Sequence, residues 1–89
     1  MAVYIVTYEL RKPGKDYKSL YEYLRRFTYC HSSTSCWFID TTQTTQQVRD
    51  GAGPHIDAND IFFVGRLQQD WHSYGVPCAN WLNDPARRW

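Results

Sequence analysis

The chain has 89 residues, enough for one domain with one hydrophobic core and too few for two. Its 43% hydrophobic and 17% aromatic content is typical of a globular protein whose core contains large rings. A net charge of +1 gives no general positive field, so contact with a nucleic acid would depend on a local basic patch. No apolar run approaches the roughly 20 residues of a membrane span, and the first residues lack a signal-peptide pattern. We expect a cytoplasmic protein with no membrane partner.

The first predicted elements are a strand and a helix. β-branched and aromatic residues run from Val3 to Leu10, and residues 11–15 contain the Pro13-Gly14 pair that stops a strand and turns the chain. Asp16 is placed to cap the helix that follows. Apolar side chains then recur at helical spacing, which predicts an amphipathic helix packed on a sheet: Tyr17, Leu20, Tyr21, Leu24 and Phe27.

A predicted hairpin occupies the middle of the chain. Two short β-prone runs, 27–32 and 35–40, are separated by the polar pair Ser33-Thr34. They predict the second and third strands.

A second helix and a last strand follow. Thr44 and Gln47 have the spacing of a capping box, which predicts a helix from Thr45 to about Ala52. Pro54 should end this region, and the β-prone run 61–67 is the clearest remaining strand.

The element order is therefore βαββαβ, which predicts an α+β fold of the ferredoxin-like split βαββαβ type. We expect a four-stranded antiparallel sheet in residues 1–70, with two helices on one face. Residues 71–89 form an aromatic C-terminal tail that is expected to cover a sheet edge or a dimer partner.

Both faces of the predicted sheet are apolar, because Val3 and Ile5 alternate with Tyr4 and Val6 in the first strand. Two helices cover only one face, and an uncovered second face would expose a large apolar patch. We expect a homodimer in which a second subunit covers it. The alternative is that the aromatic tail folds back over the same face.

The chain has three cysteines, Cys30, Cys36 and Cys78, so at least one thiol is unpaired within the chain. The expected cytoplasmic location predicts that all three are reduced.

The sequence resembles the SinR-like proteins, which are related to CRISPR-associated protein two and to the VapD ribonucleases. The resemblance runs from Val3 to about Trp71. It rests most on Lys12-Pro13-Gly14 before Asp16-Tyr17, on Gln47-Val48-Arg49-Asp50, and on the run from His55 to Asp60.

This resemblance implies a ferredoxin-like homodimer with a functional triplet at the end of the first strand. In the wider superfamily the triplet is Tyr-Asp followed by an apolar residue, and the acid of each subunit is proposed to bind a divalent metal for phosphodiester cleavage. The matching residues are Tyr8, Glu9 and Leu10, with Glu in place of Asp. The resemblance therefore makes Glu9 and Tyr8 the candidate catalytic residues, with Glu9 as a ligand of Mg²⁺ or Mn²⁺.

Basic residues follow the triplet. Arg11, Lys12 and Lys15 are the candidate contacts for an RNA or DNA backbone, although such a cluster also forms an ordinary solvated face. Likewise, Glu9 has an alternative as a strand-end acid paired with Arg11 or Lys12.

Two functions follow from these residues. The first is a non-catalytic homodimer that binds a nucleic acid or a protein within a defence or toxin-related system. The second is a metal-dependent endonuclease that acts on RNA or DNA through Glu9 at the dimer interface. The near-neutral charge and the sparse acidic set favour the first.

Overall fold

The computed structural model describes residues 2–12 and 16–89. The elements follow in the order β1 (Ala2–Glu9), α1 (Lys18–Leu24), β2 (Thr28–Ser33), β3 (Cys36–Thr41), α2 (Thr45–Ala52), a 3₁₀ turn (Gly53–His55), β4 (Ile61–Leu67) and α3 (Ala79–Leu82). The predicted turn at Pro13 and Gly14 lies outside the described residues.

The four strands form one antiparallel sheet in the order β2-β3-β1-β4. The predicted α+β class, with a four-stranded antiparallel sheet and helices, is confirmed. β1 lies inside the sheet, between β3 and β4, whereas β2 and β4 are its edges. The long connections through α1 and α2 leave β1 free to pair on both sides.

Local sequence accounts for both long helices. The side chain of Asp16 accepts a hydrogen bond from the backbone N–H of Lys18 at the start of α1, at 2.9 Å. At α2 the hydroxyl of Thr44 accepts from the N–H of Gln47, and the Gln47 side chain accepts from the N–H of Thr44. The predicted capping box is confirmed, and α2 has the predicted bounds.

The larger core lies between the sheet and α1 and α2. The strands contribute alternate side chains to it, among them the fully buried Val6 and Trp37, and the helices contribute Leu20, Leu24 and Val48. Both helices therefore cover the same face of the sheet, because the side chains of one parity point toward them.

A second, smaller core lies on the opposite face. Val3 and Phe38 are buried there against Cys78 and Leu82 of the C-terminal segment, residues 71–89. This contact corresponds to the alternative in which the tail folds back over the sheet. The homodimer and a domain boundary at residue 70 stay predictions.

Two of the three cysteines are joined, since Cys30 of β2 and Cys78 form a disulfide. The prediction of three reduced thiols is therefore wrong. The two cysteines are 48 positions apart in the sequence, and among the described residues Cys36 is the remaining, free thiol.

In the described part of the chain, no helix is long and apolar enough to cross a membrane.

Candidate functional site

Glu9 is the last residue of β1, and its carboxylate is solvent-exposed. Its Oε2 lies 3.2 Å from Nη2 of Arg11, with side chains that are 63% and 50% exposed. Water screens a pair this exposed, so it contributes less than about 1 kcal/mol to stability. The geometry corresponds to the strand-end ion pair, and it leaves the carboxylate reachable from solvent.

Tyr8 points to the opposite face and is buried in the helix-side core. Its hydroxyl donates to the carbonyl oxygen of Thr34 at 2.8 Å and accepts from Nε1 of Trp37 at 2.8 Å. Burial raises the pKa of this phenol because it disfavours the phenolate, and the Trp37 N–H opposes the rise only in part. Although Tyr8 and Glu9 are adjacent in the sequence, Tyr8 is therefore buried in the core and Glu9 is exposed to solvent.

Both residues contribute to the lining of one surface pocket of about 300 Å³ at the end of β1. Glu9 is the one charged residue in its lining, and the rest of that lining is aromatic, aliphatic or hydroxyl-bearing: Tyr8, Leu10, Tyr21, Thr34 and Ser35. A single carboxylate at an open pocket is a sparse set of catalytic groups.

The two described basic residues after β1 are each paired with an acid, one in the loop before β4 and the other at the end of β1. Nζ of Lys12 lies 3.4 Å from Oδ1 of Asp57, and Arg11 is paired with Glu9. Local carboxylates thus offset the positive charge of two of the three predicted nucleic-acid contacts. The third, Lys15, lies outside the described residues.

Asp60 organises this loop, a role that the sequence analysis does not assign to it. Its carboxylate accepts from the backbone N–H groups of Arg11 and Asp57, both at 2.7 Å, and from the hydroxyl of Tyr17. The side chain therefore joins the exit of β1 to the approach to β4. An Asp three residues after another Asp, just before a β run, was the available signal.

One chain supplies too few ligands for the predicted metal. Among residues 2–12 and 16–89, no group of three or more His, Cys, Asp or Glu side chains lies close enough to hold an ion. Mg²⁺ prefers six oxygen ligands, so the lone Glu9 of one chain does not fit the requirement.

An exposed apolar pair lies beside Glu9. Phe63 and Ile61 of the edge strand β4 are 58% and 46% exposed. Their register partners in β1 are Thr7 and Glu9, so all four side chains share the second face of the sheet. The ring of Phe63 lies over Gly65, where a Cβ would come within 3.0 Å of the ring. Glycine thus lets the ring lie along the strand surface.

The comparisons with known proteins add no family. No protein-family model matches this chain, and no solved structure matches it at a significant level.

Proposed function

We propose that this protein is a SinR-like, ferredoxin-fold homodimer that acts as a non-catalytic binding module for a nucleic acid or a protein in a defence or toxin-related system. The observation that carries the proposal is the exposed pair Ile61 and Phe63 on an edge strand, beside the triplet that ends β1. The cytoplasm is its proposed location.

Element order and strand order support the fold name. A βαββαβ chain whose antiparallel strands lie in the order β2-β3-β1-β4, with both long helices over one face, is the arrangement expected of a ferredoxin-like sandwich. Of the motifs that resemble the SinR-like proteins, residues 47–50 lie in α2, and the run from His55 to Asp60 lies between α2 and β4.

The exposed pair supports a twofold interface. An isologous dimer buries the same side chains from both copies, so Ile61 and Phe63 of each copy would be buried in the interface. Burying the exposed half of each contributes about 1 kcal/mol per side chain. Association itself costs at least about 4 kcal/mol, which cancels the gain from these four side chains, so they do not hold a dimer together by themselves. A stable dimer needs more of the same face.

The environment of the triplet supports a non-catalytic role. The hydroxyl of Tyr8 is already engaged as both donor and acceptor, and the carboxylate of Glu9 is paired with Arg11. The pairing of Arg11 and Lys12 with acids likewise reduces the local positive potential, which favours a protein partner over a nucleic acid.

A nuclease is the second candidate function because of the position of Glu9 on the sheet. Glu9 shares the sheet face of Ile61 and Phe63, so a twofold interface there would bring two carboxylates to the same interface. Two carboxylates together with substrate phosphate oxygens are a set that Mg²⁺ or Mn²⁺ accepts.

A cleavage assay separates the two candidates. Labelled short RNA and DNA are incubated with the wild type, Glu9→Gln and the control Glu22→Gln, which alters an exposed acid of α1, in the presence of Mg²⁺ or Mn²⁺. The proposal predicts the same background cleavage for all three proteins. Cleavage that is lost in Glu9→Gln alone contradicts the non-catalytic proposal and supports the nuclease.

A further inference from the structure

The C-terminal segment is attached to the sheet by side chains and not by backbone pairing. Its backbone hydrogen bonds among the described residues are local, running for example from Leu82 to Cys78 and from Arg87 to Asp84. The ladders of the sheet pair the strands β1, β2, β3 and β4 with one another, and among the described residues they do not include the C-terminal segment. The segment can therefore leave the sheet without breaking a strand pairing.

One covalent bond holds the middle of this segment. The disulfide joins Cys78, which immediately precedes α3, to Cys30 on the edge strand β2. Cys78 is 1% exposed and packs with Val3, Phe38 and Leu82 in the second core. The disulfide thus lies at the centre of the contact between the segment and the sheet.

Two polar contacts also attach the segment. An exposed hydrogen bond runs from Nη2 of Arg66 to the carbonyl oxygen of Trp89 at 2.6 Å, and a buried ion pair inside the contact is poorly satisfied. Nε of Arg87 lies 3.5 Å from Oδ2 of Asp40, and their side chains are only 9% and 2% exposed. Oδ1 of Asp40 and both Nε and Nη1 of Arg87 have no hydrogen-bond partner among the described residues. Buried charges without full hydrogen bonding oppose the closed arrangement, because water would solvate them once the segment opened.

We infer that the Cys30–Cys78 disulfide is a redox-controlled clasp: when it is reduced, residues 71–89 detach from the sheet face while the sheet stays folded. The reductant is a dithiol. One of its thiolates attacks a sulfur of the protein disulfide, its second thiol closes the reductant's own disulfide, and Cys30 and Cys78 leave as two thiols. Two electrons and two protons pass from the dithiol to the protein.

Detachment uncovers apolar side chains that continue the exposed pair of β4. Val3 and Phe38 lie on the same sheet face as Phe63. The register partner of Val3 is Leu67, which lies four residues after Phe63 in β4. This enlarged face fits a second copy of the chain, because the weak apolar pair at one end would become a continuous surface. The consequence for assembly rests on the proposed function, whereas the opening of the clasp does not.

Hydrogen exchange measured by mass spectrometry tests the clasp directly. The wild type is compared in oxidised form and after treatment with dithiothreitol. Reduction is expected to speed exchange in residues 79–87 by about tenfold or more, while β1 and β3 stay protected. The variant Cys78→Ser should behave like the reduced protein without any reductant, and the control Cys36→Ser should behave like the wild type in both states.

Two outcomes would overturn the clasp. Unchanged protection of residues 79–87 after reduction would mean that the side-chain contacts hold the segment without the disulfide. Loss of protection in β1 and β3 together with the segment would mean that the disulfide maintains the whole fold. Sedimentation of the same samples tests assembly separately: a released segment with no gain in mass would contradict the proposed dimer and leave the clasp standing.

Discussion

Glu9 and Ile61 lie directly opposite each other in the antiparallel ladder of β1 and β4. An exposed carboxylate and an exposed apolar side chain are thereby neighbours on one sheet face. This relationship connects the two proposals for the protein, because the surface offered for assembly includes the acid that the resemblance assigns to catalysis.

The first prediction concerns the carboxylate of Glu9. Glu9→Gln should change the free energy of unfolding by less than about 1 kcal/mol, because its pair with Arg11 is screened by water. Mg²⁺ or Mn²⁺ should leave the melting temperature of both proteins unchanged, as measured by differential scanning calorimetry. A metal-dependent rise in the wild type that disappears in Glu9→Gln would indicate ligation and would count against the non-catalytic proposal.

The second prediction assigns Tyr8 a structural role. Tyr8→Phe removes the acceptor of the buried Trp37 N–H and the donor to the Thr34 carbonyl. It should lower the free energy of unfolding by about 1–3 kcal/mol, the usual cost of leaving such a group unsatisfied. Urea unfolding measures the change. Tyr74→Phe is the matched control, because that side chain is fully exposed and should show no effect.

The third prediction is the thiol count. Protein that is unfolded without reductant should show one reactive thiol, Cys36, and prior reduction should raise the count to three. Three reactive thiols without reductant would contradict the disulfide and restore the prediction made from the sequence.

Cys36 also has a predicted pH dependence. Burial raises the pKa of its thiol because it disfavours the thiolate, so labelling of the folded protein at neutral pH should be slower than labelling of a free thiol. Since the folded state favours the neutral thiol, the stability that this group contributes is present below the pKa of the unfolded thiol. It is lost as the pH rises through the higher folded pKa.

The fourth prediction concerns the buried ion pair. In the oxidised protein, Arg87→Met should lower the free energy of unfolding by about 3 kcal/mol, because Asp40 stays buried without its partner charge. Replacing both residues, as in Asp40→Val with Arg87→Met, should recover much of that loss. Urea unfolding of the two variants gives the comparison, and a double variant no more stable than the single one would show that the pair itself supports the fold.

Elements with local signals could be predicted from the sequence. The β-branched and aromatic runs predict all four strands, and the hairpin strands β2 and β3 are displaced by only one residue because a polar break fixes a turn only approximately. The capping box of Thr44 and Gln47 fixes the start of α2, since its two hydrogen bonds span only three residues.

Long-range pairings had no such signal. Asp40 looks like an ordinary strand-end acid, and Arg87 lies in a segment with no regular periodicity, yet they meet in the second core. The Cys30–Cys78 bond likewise depends on where the C-terminal segment folds. The position of Glu9 near the end of β1 was predictable from the β-prone run and the turn signal after it. The sequence did not distinguish Arg11 from Lys12 as the partner of Glu9, and the structure pairs it with Arg11.

The proposed homodimer is tested most directly by sedimentation equilibrium over a range of protein concentrations, with and without dithiothreitol. We expect a wild-type mass that approaches twice 10.6 kDa as the protein concentration rises, and at lower concentrations after reduction. Phe63→Glu should stay monomeric because it places two like charges at the interface, whereas Tyr74→Glu, on a fully exposed side chain, should match the wild type. A wild type that remains at 10.6 kDa in both redox states would rule out the homodimer.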